Sequence, residues 1–319
     1  MKRVVFFGTP FIATPFLKAL YSESAFEVVG VVTQPDKPAG RKQVLTASPI
    51  ATLAEELGIL LLKPDSLKND PEITGQLESL NADFFVVFAY GKIIPESILG
   101  IPNNGCINVH PSKLPTLRGP SPIQTAIRNQ FSSTAITIML MDAGMDSGPI
   151  LQQLEVPLSN TETTESLSET IMKKGPLFLV ETLKGYLDGS ITATPQNDDL
   201  ATFCKMIKKE DGQMNPLIDS AADIAAAWRA FAEWPKCKVM LNGEWHTISE
   251  VSVYDDVDWL QPGEFGWNGD QLLLRSKSGT VAIESIQPPG KGMMKVNSFV
   301  NGLQKPVEWL KSQRKEEGR

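Results

Sequence analysis

Cysteine is scarce in this chain and histidine scarcer: its 319 residues hold three of the first and two of the second. Cys106, Cys204 and Cys237 lie far apart, with no Cys-x-x-Cys pair and no histidine at ligand spacing, which argues against a disulfide framework and a structural zinc site. A reducing cytoplasm suits such a chain. No apolar run approaches about 18 residues, so a membrane-spanning helix is not expected. The opening Met1-Lys2-Arg3, followed by Val4 to Phe7, is cut short by Gly8-Thr9-Pro10 before it reaches the length of a secretion signal. Excess positive charge is missing too, the formal net charge being -7. That excludes a broad nucleic-acid-coating surface and requires any polyanion site to be local. The Gly8-Thr9-Pro10 turn also lacks the second and third glycines of a dinucleotide fingerprint, so a nicotinamide cofactor is not expected.

With 42% hydrophobic and 21% charged residues, the chain is long enough for two cores. Val4 to Phe7, Val28 to Thr33, Leu60 to Leu62 and Phe84 to Phe88 are short apolar runs with helical spacing between them, the alternation that builds a parallel sheet. Ser48-Pro49 supplies a cap and a first helical residue for Ile50 to Leu57. The stretch from Gln34 to Lys42 reads as too rich in proline and glycine for regular structure, and carries Lys37, Arg41 and Lys42 against Asp36. Ala135 to Met141 and Ile150 to Val156 read as an antiparallel pair, and Glu165 to Leu187 as helix with a break at Gly175-Pro176. Later, Asn242-Gly243, Asn268-Gly269 and Ser278-Gly279 are hairpin signals, with a terminal helix near Val296 to Leu303. Trp228, Trp234, Trp245 and His246 read as barrel packing and surface. The fold expected is α/β: a Rossmann-like, mostly parallel sheet over residues 1–190, a linker over 191–207, and a smaller OB-like antiparallel β-barrel over 208–319. No apolar stripe asks for a second copy, so a monomer is expected.

The stretch from Cys106 to Ser112 concentrates the chemistry. In an extended segment side chains alternate, so Cys106, Asn108 and His110 share one face while Ile107 and Val109 point into packing. Asn108 and His110 then stand roughly 7 Å apart, close enough to straddle one reacting carbonyl. Pro111 ends the strand and leaves His110 at its carboxyl end, the edge at which open parallel sheets bind ligands. Asp146, in the glycine-flanked loop from Asp142 to Gly148, is a carboxylate able to orient the imidazole. The plain alternatives are a structural histidine and an aspartate that only caps its own turn. As a set, the three suit acyl transfer without a metal, the amide serving an oxyanion and the imidazole moving a proton.

Asn108-Val109-His110, the run from Ser112 to Gly119 and Asp146-Ser147-Gly148 resemble the 10-formyltetrahydrofolate-dependent formyltransferase family. Phe7 to Pro10, Thr33 to Arg41, Phe88 to Gly91 and Pro120 to Gln124 resemble the branch of that family whose acceptor is an aminoacylated tRNA. So do Lys205 to Asp211, Arg229-Ala230-Phe231 with Trp234-Pro235, and Gln287 to Lys291. The resemblance implies transfer of formyl from 10-formyltetrahydrofolate, a co-substrate, to the amino group of methionyl initiator tRNA. Asn108, His110 and Asp146 would be catalytic, Asp146 keeping His110 cationic. Phe88, Ala89, Tyr90, Ser112, Leu114, Pro115, Asp142 and Gly144 would line the folate site. Lys37, Arg41, Lys42, Lys205, Lys208 and Lys209 would meet tRNA phosphates. A sugar-nucleotide N-formyltransferase using the same donor is the alternative.

Overall fold

The computed structural model describes residues 1–39, 44–255, 257–304 and 307. The chain divides into two compact units. The first comprises Met1–Pro122, Ser133–Pro157 and Glu165–Lys205; the second comprises Ile123–Ser132, Leu158–Thr164 and Met206–Arg319.

In the first unit β1 (Lys2–Gly8), α1 (Thr14–Ser22), β2 (Phe26–Val32), β3 (Lys37–Ala39), β4 (Val44–Thr46), α2 (Pro49–Glu56), β5 (Leu61–Leu62), α3 (Pro71–Ser79), β6 (Phe84–Phe88), α4 (Glu96–Leu99) and β7 (Cys106–His110) follow in order. Then come β8 (Ser133–Leu140), β9 (Ile150–Pro157) and α6 (Thr164–Asp188), while α5 (Pro122–Arg128), which precedes β8 in the chain, belongs to the second unit from Ile123 on. The main sheet runs β5-β2-β1-β6-β7-β8-β9. Its first five strands are parallel, and β8 and β9 add antiparallel ladders beside β7. The early apolar runs become strands because both of their faces are covered: Val4 to Phe7 and Phe84 to Phe88 are buried throughout. The order reverses at β1, with β2 on one side and β6 on the other, so the carboxyl ends of β1, β6 and β7 form the edge where ligands bind in such sheets. Under that edge Phe7 packs on Phe85 at 5.2 Å and edge-on to Tyr90 at 5.6 Å between ring centroids.

Two local expectations differ. The stretch from Gln34 to Lys42 is not wholly irregular, because Lys37 pairs with Thr46, and Pro38 with Leu45, in a two-stranded ribbon. Each strand of a ribbon needs only one bonded edge, which tolerates the missing N–H of Pro38. The helix from Thr164 to Asp188 also runs unbroken through Pro176. Buried Leu167 and Ile171 before the proline and Leu179, Val180 and Leu183 after it anchor one apolar face, outweighing one lost backbone bond. Gly175 admits the Phe16 ring so closely that a Cβ there would lie 2.3 Å from it.

Caps follow the sequence. Ser48 Oγ accepts from Ala51 N at 3.0 Å and also meets Thr33 Oγ1 at 2.8 Å, joining the start of α2 to the end of β2. Ser48→Ala is expected to cost about 1 kcal/mol, read from the denaturant midpoint at unchanged slope.

The second unit contains β10 (Gln213–Met214), α7 (Ala221–Phe231), β11 (Lys238–Leu241), β12 (Glu244–Tyr254), β13 (Phe265–Trp267), β14 (Leu272–Arg275), β15 (Thr280–Gln287), β16 (Met294–Lys295) and α8 (Val296–Asn301). Its sheet runs β10-β11-β12-β15-β14-β13, with β16 on β15, and every ladder except β10 with β11 is antiparallel. The three Asn-Gly and Ser-Gly turns join β11 to β12, β13 to β14 and β14 to β15, as expected of an OB-like domain. Ser220 and Asp223 cap α7 reciprocally. His246 is structural: it is buried, its Nδ1 lies 3.1 Å from the Glu244 carbonyl, and its ring meets Phe299 edge-on.

Candidate active site

His110 closes β7 and is 4% exposed. The alternation expected of that strand holds, because one oxygen, Asp146 Oδ1, lies 3.4 Å from Asn108 Nδ2 and 3.8 Å from His110 Nδ1. Asp146 therefore does more than cap its own turn. Its second oxygen accepts from Gly119 N at 2.7 Å, across 27 residues of chain. The turn role falls to Asp142, whose Oδ1 accepts from Gly144 N and Ser147 Oγ.

The other nitrogen of His110, Nε2, lies 3.0 Å from the Leu117 carbonyl. A carbonyl only accepts, so Nε2 carries hydrogen and donates. In the neutral ring Nδ1 is then bare and faces the Asp146 carboxylate, where an arriving proton would sit against an anion. Asn108 uses one amide hydrogen toward Asp146, leaving the other to donate to a developing oxyanion. Leu117 is held in the left-handed region at φ 61°, and its N–H donates to Thr202 Oγ1 at 2.9 Å. Asp146 and Ala89, at φ 52° each, share that unusual backbone conformation, so strained positions gather at this sheet edge.

Models of two parts of one family match the chain: formyl transferase over residues 1–183, and formyl transferase C-terminal domain over residues 206–304. A methionyl-tRNA formyltransferase of Synechococcus sp. (strain JA-3-3Ab) is 40% identical over 311 residues, covering 95% of this chain and 96% of its own. This chain belongs to the methionyl-tRNA formyltransferase family. A second member, from Roseiflexus sp. (strain RS-1), is 39% identical over 302 residues, covering 94% and 92% of the two chains. Among solved structures, an N-formyltransferase of Helicobacter canadensis in complex with folinic acid and dTDP-3-aminofucose has a TM-score of 0.64 at 16% identity, covering 89% of this chain and 98% of that one. HypX of Aquifex aeolicus in complex with tetrahydrofolic acid has a TM-score of 0.61 at 14% identity; the match covers 98% of this chain and about half, 51%, of HypX. At these identities the two structures share the fold alone with this chain.

Of the residues expected to meet folate, Phe88, Ala89 and Tyr90 lie at the carboxyl end of β6, Ser112, Leu114 and Pro115 follow β7, and Asp142 and Gly144 follow β8 in the turn that carries Asp146. Phe88 ends β6 with its ring buried on Phe16 at 4.5 Å, so its backbone is the part left to face a ligand. Tyr90 is 2% exposed; its carbonyl accepts from Thr9 Oγ1 and Gln34 Nε2, while its buried hydroxyl has no partner among the described residues. Burial alone pushes that phenol up to about 12. The Ser112 hydroxyl donates to the Thr116 carbonyl at 2.6 Å, and Leu114 is buried beside its cis bond to Pro115. Of the cations expected to meet tRNA, Lys37 and Lys205 are exposed in the first unit, and Lys208 and Lys209 in the second. Arg41 and Lys42 lie outside the described residues.

Sequence reasoning missed the segment after α6, read there as linker. Thr194 pairs with Ile150 and Phe203 with Arg118, so residues 194–204 lie along the site. Gln196 touches the loop that carries Asp146, and Thr202 and Cys204 touch Leu117, whose carbonyl faces His110. Polar, aperiodic stretches carry no pattern to show this, although Arg118 beside Gly119 was a visible cation at an otherwise apolar place. Cys204 is not a nucleophile in waiting. All three cysteines are buried, and burial raises each thiol, pushing Cys106 and Cys237 up to about 12. A charged aromatic disulfide reagent at pH 8 is expected to label none of them in the folded chain and all three after denaturation, counted by the chromophore released.

Proposed function

We infer that the sheet edge holding Asn108, His110 and Asp146 transfers a formyl group from 10-formyltetrahydrofolate to the amino group of methionyl initiator tRNA, giving N-formylmethionyl-tRNA. The observation that carries this reading is the single carboxylate oxygen, Asp146 Oδ1, shared by Asn108 and His110. Family membership supplies the donor and the acceptor class.

The uncharged amine attacks the formyl carbon, a carbon–nitrogen bond forms, and the carbonyl oxygen becomes an oxyanion. Asn108 Nδ2 donates its second hydrogen to that oxyanion, with His110 beside it. The proton shed by the amine passes to Asp146, directly or through water, and His110 Nδ1 delivers one to the departing folate nitrogen as the old carbon–nitrogen bond breaks. No protein nucleophile is required, because the acceptor amine is one. Main-chain groups at Phe88 to Tyr90 and in the turn from Asp142 to Gly144 recognise the donor's ring system. Lys37, Arg41, Lys42, Lys205, Lys208 and Lys209 contact acceptor phosphates, so their loss weakens tRNA binding and flattens its salt dependence.

The test offers methionyl initiator tRNA, methionyl elongator tRNA and an amino-sugar nucleotide in parallel with the same donor. A kcat/KM far higher for the initiator supports the reading. Product on the sugar nucleotide and on neither tRNA sinks it.

A further inference from the structure

The loop that presents Asp146 has few bonds of its own. Asp142 caps its first half, and Gly148 closes it against Leu140. Between them Asp146 occupies the left-handed region at φ 52°, a conformation that an aspartate keeps only when its surroundings hold it. One side chain from a distant part of the chain does so. Gln196 Nε2 donates to the carbonyl of Asp146 at 2.8 Å and to that of Gly148 at 2.7 Å, using both amide hydrogens on the turn.

The amide cannot be reversed. Its oxygen, Oε1, accepts from Arg118 Nε at 3.1 Å and Nη2 at 2.8 Å, and a flipped amide would set donors against the guanidinium and an oxygen against two carbonyls. Arg118 is 4% exposed and also pairs with Asp198 at 2.7 Å. Its chain neighbours are the two residues that grip the catalytic pair: Leu117 takes the His110 Nε2 hydrogen, and Gly119 N holds Asp146 Oδ2. The bridge between Ile150 and Thr194 sets the register that places Gln196 here. One connected network therefore joins the histidine's orienting carbonyl, the carboxylate's anchor and the backbone of the carboxylate's turn.

We propose that Gln196 is a positioning residue for formyl transfer, holding the Asp146 turn by its two carbonyls while Arg118 fixes the orientation of the amide. It does not touch the reacting atoms. It acts through Asp146, whose Oδ1 must stay within reach of both Asn108 and His110. The proposal rests on the formyl-transfer reading above.

Gln196→Met removes the two donors and the Arg118 acceptor. It is expected to lower kcat about 100-fold, the scale of a displacement near 1 Å at a catalytic group, with KM for donor and tRNA little changed. Gln196→Glu keeps the side chain's length and its contact with Arg118, so the chain is expected to fold, with a thermal midpoint below the parent's but above that of Gln196→Met. It should still lose turnover, because an oxygen replaces the donor against two carbonyls. The deciding measurement is the cycle with Asp146→Asn: in that background Gln196→Met is expected to cost little more, since the residue it positions is already disabled. Parental kcat in Gln196→Glu, or the same fold-loss from Gln196→Met with and without Asp146, would overturn the proposal. Absence of product from the unaltered chain would instead sink the formyl-transfer reading itself.

Discussion

His110→Ala is expected to lower kcat for formyl transfer by about 10³–10⁴-fold, the upper range for losing a positioned acid–base group, while the chain stays folded and binds tetrahydrofolate normally. The fold should survive because His110 sits at the end of β7, and its ladder to Thr137 is made by backbone atoms. The lost side-chain partners are the Leu117 carbonyl and the Asp146 carboxylate, of which the carboxylate keeps Gly119 N and Asn108 Nδ2. Asp146→Ala is expected to fall as far, and the double variant no further than either single one, because residues that act as a unit are not additive. Turnover within a few-fold of the parent in either variant contradicts this. The check is kcat at saturating donor and methionyl-tRNA, with circular dichroism to establish the fold.

Gly148→Ala is the second large effect, and it reaches the same carboxylate through the backbone. A Cβ at Gly148 would lie 2.0 Å from the Leu140 carbonyl oxygen and 3.2 Å from Asp142 N. Neither is a flexible side-chain tip. The turn must move away from β8, carrying Asp146 with it and breaking the bond from Gln196 to the Gly148 carbonyl. Overpacking of this kind costs about 1–3 kcal/mol of stability, and a shift near 1 Å at the carboxylate costs about 100-fold in kcat. Gly58→Ala provides the contrast, since nothing lies within 4 Å of its Cβ position; only its positive φ of 66° opposes it, and its activity should be untouched. Equal kcat for Gly148→Ala and the parent would show that the turn has room the structure denies it.

The parts of this protein governed by short-range pattern were legible in its sequence. Continuous apolar runs such as Val4 to Phe7 and Phe84 to Phe88 mark strands covered on both faces, and Asn242-Gly243 marks a hairpin, because each rests on neighbouring residues. The shared face of Asn108 and His110 followed from the period of a strand. Their partner Asp146 was legible as a carboxylate in a turn, but its bonds to Gly119 and toward His110 are long-range and had no local signature. The unbroken α6 was misjudged because proline's cost is local and the packing of Leu167, Ile171 and Leu179 that offsets it is not. Gln196 was invisible for the same reason: it lies in a polar stretch, and its role exists only where Ile150 and Thr194 meet.

The measurement that bears most directly on the account is a single turnover with 10-formyltetrahydrofolate labelled at the formyl carbon and methionyl initiator tRNA as acceptor. Label is expected in an N-formylmethionyl ester on the tRNA, with an equal amount of tetrahydrofolate released. Label appearing as free formate, with the methionyl amine unmodified, would contradict it.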